Sequence, residues 1–289
     1  MTELHGVIAA LSTPFDETGE ALDEAGLRRH LDAMLEAGVH GIVLCAGTGE
    51  FAYLREDEKT RIFEIGINHV DGRVPVVAQT SAIATADAIE RSKRAEGLGA
   101  DALLVLPPYF EGPGVDGVLY HYEQIARAVS TPIVLYNIPQ HSDFDITPAI
   151  YARLLEVDNI DYIKDSKGDM INLQHLIATG GKVLSGADPL APYALMAGAV
   201  GWIWGAANVM PRETVELYDL IAGGRHAEAL ALWRRMAPAN LFFWSHGYNV
   251  GVKQATNYMG RPVGPCRKPT LPLSEAEWDE LKAALEPLR

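Results

Sequence analysis

Short apolar runs rich in β-branched residues alternate along this chain with longer stretches whose apolar positions recur every three to four residues. The short runs are residues 6–10, 41–44, 75–79, 102–106, 133–136, 162–164, 183–185 and 201–204, and each predicts a buried strand. Between them, residues 23–37, 56–70, 85–98 and 115–129 are amphipathic and predict helices. Gly38, Gly99 and Gly198 fall just past helical runs, where a left-handed residue closes the last turn. Asp23, Thr85 and Thr147 fall where helices begin, as N-caps, and Pro148 follows at a first helical position.

About eight strand-then-helix units without a long interruption predict a (β/α)₈ TIM barrel over residues 1–222. A doubly wound sheet is the competing architecture. It would need fewer strands and a glycine fingerprint after the first, and the turn Leu11-Ser12-Thr13-Pro14-Phe15 lacks one. Further helical stretches at 225–236, 241–259 and 274–285 predict a C-terminal helical extension over residues 223–289. Residues 189–210 carry no charge, which is long enough for a membrane span. Pro189, Pro192, Gly198, Gly201 and Gly205 interrupt that stretch, so a helix at 190–197, a turn and a strand are expected instead.

With 48% hydrophobic residues among 289, the chain can bury one sizeable core. Its net charge of −14 repels nucleic acid and anionic membranes, so neither is expected as a partner. The two cysteines, Cys45 and Cys266, imply no disulfide framework, and the N-terminus shows no signal-peptide pattern; a cytoplasmic setting is expected. Cys45 sits in an apolar run and is expected to pack rather than react.

The candidate chemistry lies where the strands end, because barrel active sites are built there. Lys164 closes the sixth run, and burial disfavours its charged form, which favours an amine able to attack a carbonyl. The competing role is an ion pair with Asp165. Tyr136 closes the neighbouring run, and a phenol beside an amine suits the proton transfers of imine chemistry. A core aromatic with a satisfied hydroxyl is the alternative. Gly47-Thr48-Gly49 is a bare turn whose amides, with the Thr48 hydroxyl, suit a carboxylate, though a plain turn has the same composition. Glu50 either orients that turn or pairs at the surface. Tyr109, His141, Ser166, Asp188 and Asn208 are further rim candidates for substrate contact, with a surface role the alternative for His141 and a capping role the alternative for Asp188 and Asn208. The nine histidines show no metal-ligand spacing, so no metal site is expected.

These residues together resemble the dihydrodipicolinate synthase / N-acetylneuraminate lyase family of class I pyruvate-type aldolases and dehydratases, over essentially the whole chain. The family's Gly-Thr/Ser-Thr-Gly-Glu turn is matched by Ala46-Gly47-Thr48-Gly49-Glu50, its Tyr-Asn-x-Pro segment by Tyr136-Asn137-Ile138-Pro139, and its Lys-Asp/Glu-x-x-Gly-Asp segment by Lys164-Asp165-Ser166-Lys167-Gly168-Asp169. The resemblance implies that Lys164 forms an imine with a 2-oxo acid, that Tyr136 shuttles protons, and that Gly47 and Thr48 bind the carboxylate. It also implies a homotetramer built as a dimer of dimers, working without a cofactor.

Three positions depart from the synthase branch of the family. The relay threonine is Gly47, the second tyrosine of the Tyr-Tyr pair is Phe110, and the arginine for the aldehyde partner's carboxylate is His141. The Gly-Thr-Gly-Glu-Phe turn resembles enzymes that dehydrate keto-deoxy sugar acids, although Ser166 stands where those carry glycine. The leading expectation is therefore a lyase that cleaves, condenses or dehydrates a 2-keto-3-deoxy sugar acid or a similar pyruvate-derived substrate. The alternatives are 4-hydroxy-tetrahydrodipicolinate synthase, a non-catalytic 2-oxo-acid-binding barrel, and a metal-dependent aldolase.

Overall fold

Eight parallel strands close into a barrel in the order β1 to β8 in the computed structural model, which describes residues 3–289. They are β1 (Gly6–Ala10), β2 (Gly41–Leu44), β3 (Val76–Gln79), β4 (Ala102–Val105), β5 (Ile133–Asn137), β6 (Ile160–Asp165), β7 (Lys182–Ser185) and β8 (Gly201–Trp204). Helices α1 (Glu24–Glu36), α2 (Glu56–Val70), α3 (Thr85–Leu98) and α4 (Gly114–Ala128) follow the first four strands. Then α5 (Pro139–Ser142) and α6 (Pro148–Leu154) follow β5, and α7 (Met170–Ile177), α8 (Ala191–Met196) and α9 (Pro211–Ala222) follow β6, β7 and β8. The chain continues through α10 (His226–Ser245), α11 (Tyr248–Tyr258) and α12 (Glu275–Leu285), all after the eighth unit.

Strand side chains alternate between two apolar environments. Ile8, Val43, Val77, Leu104, Val134 and Leu184 fill the barrel interior. Their neighbours Val7, Ile42, Leu44, Leu103 and Leu135 pack outward against the helices. Both faces are thus buried, which is why the strands read as unbroken apolar runs rather than as alternating ones. The domain boundary expectation starts at residue 1, and Met1 and Thr2 lie outside the described residues.

The expected helix ends are realised at most positions. Gly38, Gly99 and Gly198 have φ of +83°, +95° and +110°. The Asp23 side chain accepts from the Gly26 N–H and the Thr147 side chain from the Ile150 N–H, with Pro148 heading α6. Thr85 is an exception: Ala84 occupies the N-cap, and Thr85 lies in the first turn. Its hydroxyl pairs instead with His121 Nδ1 at 3.0 Å, tying α3 to α4.

A second correction concerns the C-terminal helices. Pro238 does not end α10, which runs through it to Ser245. An interior proline costs about 3 kcal/mol. Leu232, Trp233, Met236, Ala239, Phe242 and Phe243 are all buried along the same helix and outweigh it. The break falls instead at His246-Gly247, which splits the run predicted at 241–259. The uncharged stretch at 189–210 resolves as a 3₁₀ turn (Asp188–Leu190), α8, a glycine turn and β8. Among the described residues no helix is long and apolar enough to cross a membrane.

Candidate active site

The pairing of β5 with β6 sets Tyr136 opposite Lys164 and Asn137 opposite Asp165. Tyr136 and Lys164 point into the barrel mouth, each buried, with Lys164 Nζ 4.1 Å from the Tyr136 ring centroid. The next residues face outward because strand side chains alternate. There Asn137 Nδ2 donates to Asp165 Oδ1 at 2.8 Å, and Asn137 Oδ1 accepts the Ile146 N–H at 2.9 Å. Each of the two motifs therefore supplies one inward reactive side chain and one outward pin that holds the strand ends together. Asp165 is committed to Asn137 on the other face, and burial pushes its carboxyl up to about 6, partly offset by that bond.

Strand β2 ends in the Gly47–Glu50 turn, entered through Cys45 at φ +56° and left through Glu50 at φ +60°. Such values are uncommon for residues with a Cβ and need support from outside the turn. Glu50 is buried in an ion pair with Lys253 Nζ at 2.6 Å, and its Oε2 accepts the Arg267 N–H at 2.8 Å. Asn249 Nδ2 donates to the Gly47 carbonyl at 2.9 Å, and the Thr13 hydroxyl donates to the Gly49 carbonyl at 2.7 Å. Glu50 therefore orients the turn from beneath. A Cβ on Gly49 would lie 2.9 Å from the Leu11 carbonyl oxygen, so no side chain fits there. Among the described residues the Gly47 and Thr48 N–H groups donate to no backbone carbonyl. Cys45 is buried, and burial raises its thiol pKa far above the usual range, which removes it as a nucleophile.

A cavity of about 950 Å³ opens over Lys164 and Tyr136. Of the residues expected at the site, Gly47, Thr48, Tyr109, His141, Ser166 and Asp188 line it. Asn208 does not. It is fully buried, donates to the Ala10 and Gly205 carbonyls at 2.8 and 2.6 Å, and accepts the Ser12 N–H at 2.9 Å while contacting His30 Nε2 at 2.7 Å. Its polar atoms fasten β8 to β1, so it shapes the barrel rather than the cavity wall. Phe110 is 67% exposed and is also absent from the lining. Gly186 is bare because a Cβ there would lie 2.6 Å from Lys164 Cε.

Asp188 is buried in the cavity wall, and burial pushes its carboxyl up to about 7, opposed by the Tyr248 hydroxyl and the Lys164 charge. Tyr248 donates to Asp188 Oδ2 at 2.6 Å. Tyr248, Asn249, Phe243, Trp244 and His246 line the cavity from the α10–α11 junction, and sequence reasoning assigned none of them to the site. The available signal was Gly247 inside an otherwise helical run. Among the described residues no cluster of three or more His, Cys, Asp or Glu side chains has metal-ligating geometry.

The chain is similar to known proteins over nearly its whole length. Residues 3–288 match the model of the dihydrodipicolinate synthetase family. The 4-hydroxy-tetrahydrodipicolinate synthase of Methanothrix thermoacetophila is 37% identical over 284 residues, covering 97% of this chain and 95% of the relative. The crystal structure of a chloride-inhibited dihydrodipicolinate synthase from Acinetobacter baumannii, complexed with pyruvate, superposes with a TM-score of 0.94 at 33% identity, covering 99% of each chain. A prophage protein of the same family from E. coli K12, also in complex with pyruvate, gives a TM-score of 0.93 at 31% identity over 98% of each chain. The chain belongs to the dihydrodipicolinate synthetase family, and so to the lyases of the pyruvate-dependent class I aldolase type.

Proposed function

We propose that this protein forms a Schiff base between Lys164 and pyruvate, or the pyruvyl end of a larger 2-oxo acid. The observation that carries the reading is Lys164 Nζ poised 4.1 Å from the Tyr136 ring at the floor of the cavity, across from the anchored Gly47–Thr48 turn. The substrate carboxylate binds the Gly47 and Thr48 amides and the Thr48 hydroxyl. That fixes C2 beside Lys164, whose nitrogen adds to the carbonyl carbon. Tyr136 moves the protons that turn the carbinolamine into the iminium with loss of water. The iminium then accepts the electron pair released when a bond at C3 breaks, giving the enamine that carries aldol chemistry.

For the second substrate, the relatives' shared name supports aspartate semialdehyde, and thus 4-hydroxy-tetrahydrodipicolinate synthesis. This kinship favours the synthase reading over the sugar-acid reading. A 2-keto-3-deoxy sugar acid remains the second reading because Gly47 and Phe110 bring no relay hydroxyl and His141 replaces the arginine expected for the aldehyde partner's carboxylate. The assembly proposed with either reading is a homotetramer in the cytoplasm, and light scattering on the purified protein checks the assembly.

Borohydride with pyruvate should leave a reduced adduct on Lys164, read by peptide mass mapping. An unmodified Lys164 would sink the Schiff-base reading. Turnover of pyruvate with aspartate semialdehyde, set against pyruvate release and water loss from a panel of keto-deoxy sugar acids, then separates the two second substrates.

A further inference from the structure

Gly47 and Phe110 leave this site without two hydroxyls that could carry protons from the imine. A different hydroxyl and a carboxylate meet in the same cavity. Tyr248, in the first turn of α11, donates to Asp188 Oδ2 at 2.6 Å, and both line the cavity with Lys164 and Tyr136. Gly205, just past β8, is bare where they meet: a Cβ there would collide with Tyr248 Oη and lie 2.8 Å from Thr48 Oγ1. On the other side of the turn, a Cβ on Gly47 would lie 3.7 Å from Tyr136 Oη. The hydroxyls of Tyr136, Thr48 and Tyr248 therefore surround the carboxylate-binding turn, and the last of them ends on a carboxylate.

A buried carboxylate is costly to retain without a role. Burial pushes Asp188 up to about 7 against the opposing pull of Tyr248 and Lys164, which suits a group that takes up and returns a proton near neutrality. The Tyr248 phenol is held well above its usual range, by burial first and by the Asp188 charge, so it remains a donor. The titratable groups around Asp188 are Lys164 from β6, Tyr248 from α11 and, beyond it, Tyr136 from β5.

We infer that Tyr248 and Asp188 are a second proton-transfer pair of this site, Tyr248 touching the substrate and Asp188 accepting the proton through it. The inference rests on the Schiff-base reading above. In the step, the C3–H bond of the iminium breaks and its electron pair becomes the C2=C3 bond. The C2=N π pair returns to the Lys164 nitrogen, giving the neutral enamine. The released proton goes to Tyr248 Oη as Tyr248 passes its own to Asp188 Oδ2. Tyr248 ends as it began, and Asp188 becomes a neutral acid. The reverse movement protonates the enamine.

Exchange of the pyruvate methyl protons in D₂O, followed by NMR, measures this step without any second substrate. Tyr248→Phe and Asp188→Asn should each slow exchange about 10²-fold, while borohydride at saturating pyruvate still leaves the reduced adduct on Lys164. Asparagine keeps an acceptor for the Tyr248 hydroxyl but takes no proton, so a purely positioning role predicts near-normal exchange in Asp188→Asn. Wild-type exchange should also rise with pH through about 7, and that rise should vanish in Asp188→Asn. Wild-type exchange rates in either variant, or parallel loss of trapping and exchange, would overturn the pair. Absence of any adduct in the wild type removes the Schiff-base reading, and the pair's role with it.

Discussion

Lys164 suits the proposed amine role because its neighbours leave it room and its sequence partner is occupied elsewhere. Gly186 lies against its stem, and Asp165 is held by Asn137 on the opposite face. Lys164→Ala should abolish borohydride trapping of pyruvate, read as the absence of any adduct peptide, with the fold intact by circular dichroism. Gly47 offers a complementary test. A Cβ there meets only Tyr136 Oη, at an ordinary contact distance of 3.7 Å. Gly47→Thr should therefore change stability by no more than about 1 kcal/mol, and should raise turnover with aspartate semialdehyde if the synthase reading holds. Beneath the turn, Lys253→Met would strand the Glu50 carboxylate in the core without its ion pair. Losing one partner of a buried pair costs about 3–5 kcal/mol, so a large fall in melting temperature is expected. Lys164, Tyr136 and Thr48 were legible in the sequence because each ends a strand beside a recognisable short motif. Asn208 was misplaced for the same reason: it follows β8, but its amide turns back to Ala10 and Gly205 rather than into the mouth.

Among the elements, the strands were the most legible, because burial on both faces leaves unbroken apolar runs. Strand β6 was read short, since Asp161 is exposed and polar inside an otherwise buried strand. The helix ends at Asp23, Thr147, Gly38, Gly99 and Gly198 were placed correctly, Thr85 was not, and Asp169 at the start of α7 is a cap of the same kind that the sequence reading did not single out. It accepts the Ile171 and Asn172 N–H groups at 2.8 and 3.1 Å. Asp169→Ala should cost about 1 kcal/mol of stability, seen as a small drop in denaturation midpoint. The junction of α10 and α11 was illegible because Pro238 gives a stronger local signal than Gly247, while tertiary packing overrides the proline. That junction carries Asn249 to the Gly47 carbonyl. Asn249→Ala should loosen the carboxylate turn and raise KM for pyruvate about tenfold, the loss of roughly one hydrogen bond, which steady-state kinetics would measure.

At the scale of the whole molecule, buried ionisable groups couple stability to pH. Burial raises Asp188 to about 7 and Asp165 to about 6 from 3.8, so the stability of their protonated forms is full below 3.8 and is lost as pH rises through those values. His30 and His121 are lowered by burial from 6.5 to about 4, so their contribution is present above 6.5 and is lost as pH falls through about 4. The two pairs oppose one another between these limits. Asp188→Asn should therefore gain stability over wild type as pH rises from 4 to 8, by about 2–4 kcal/mol, measured from denaturation midpoints across pH. The sequence by itself determined the barrel, the placing of Lys164 and Tyr136 on adjacent strands at its mouth, and the bare turn facing them, because hydrophobic period and short strand-end motifs are local properties of the chain. Only the tertiary structure decided what surrounds that amine. Tyr248 and Asp188 are 60 residues apart, and Asn249 and Gly47 are 202 apart. Closing the barrel and folding the C-terminal helices over its mouth bring them together, through packing that no local pattern encodes.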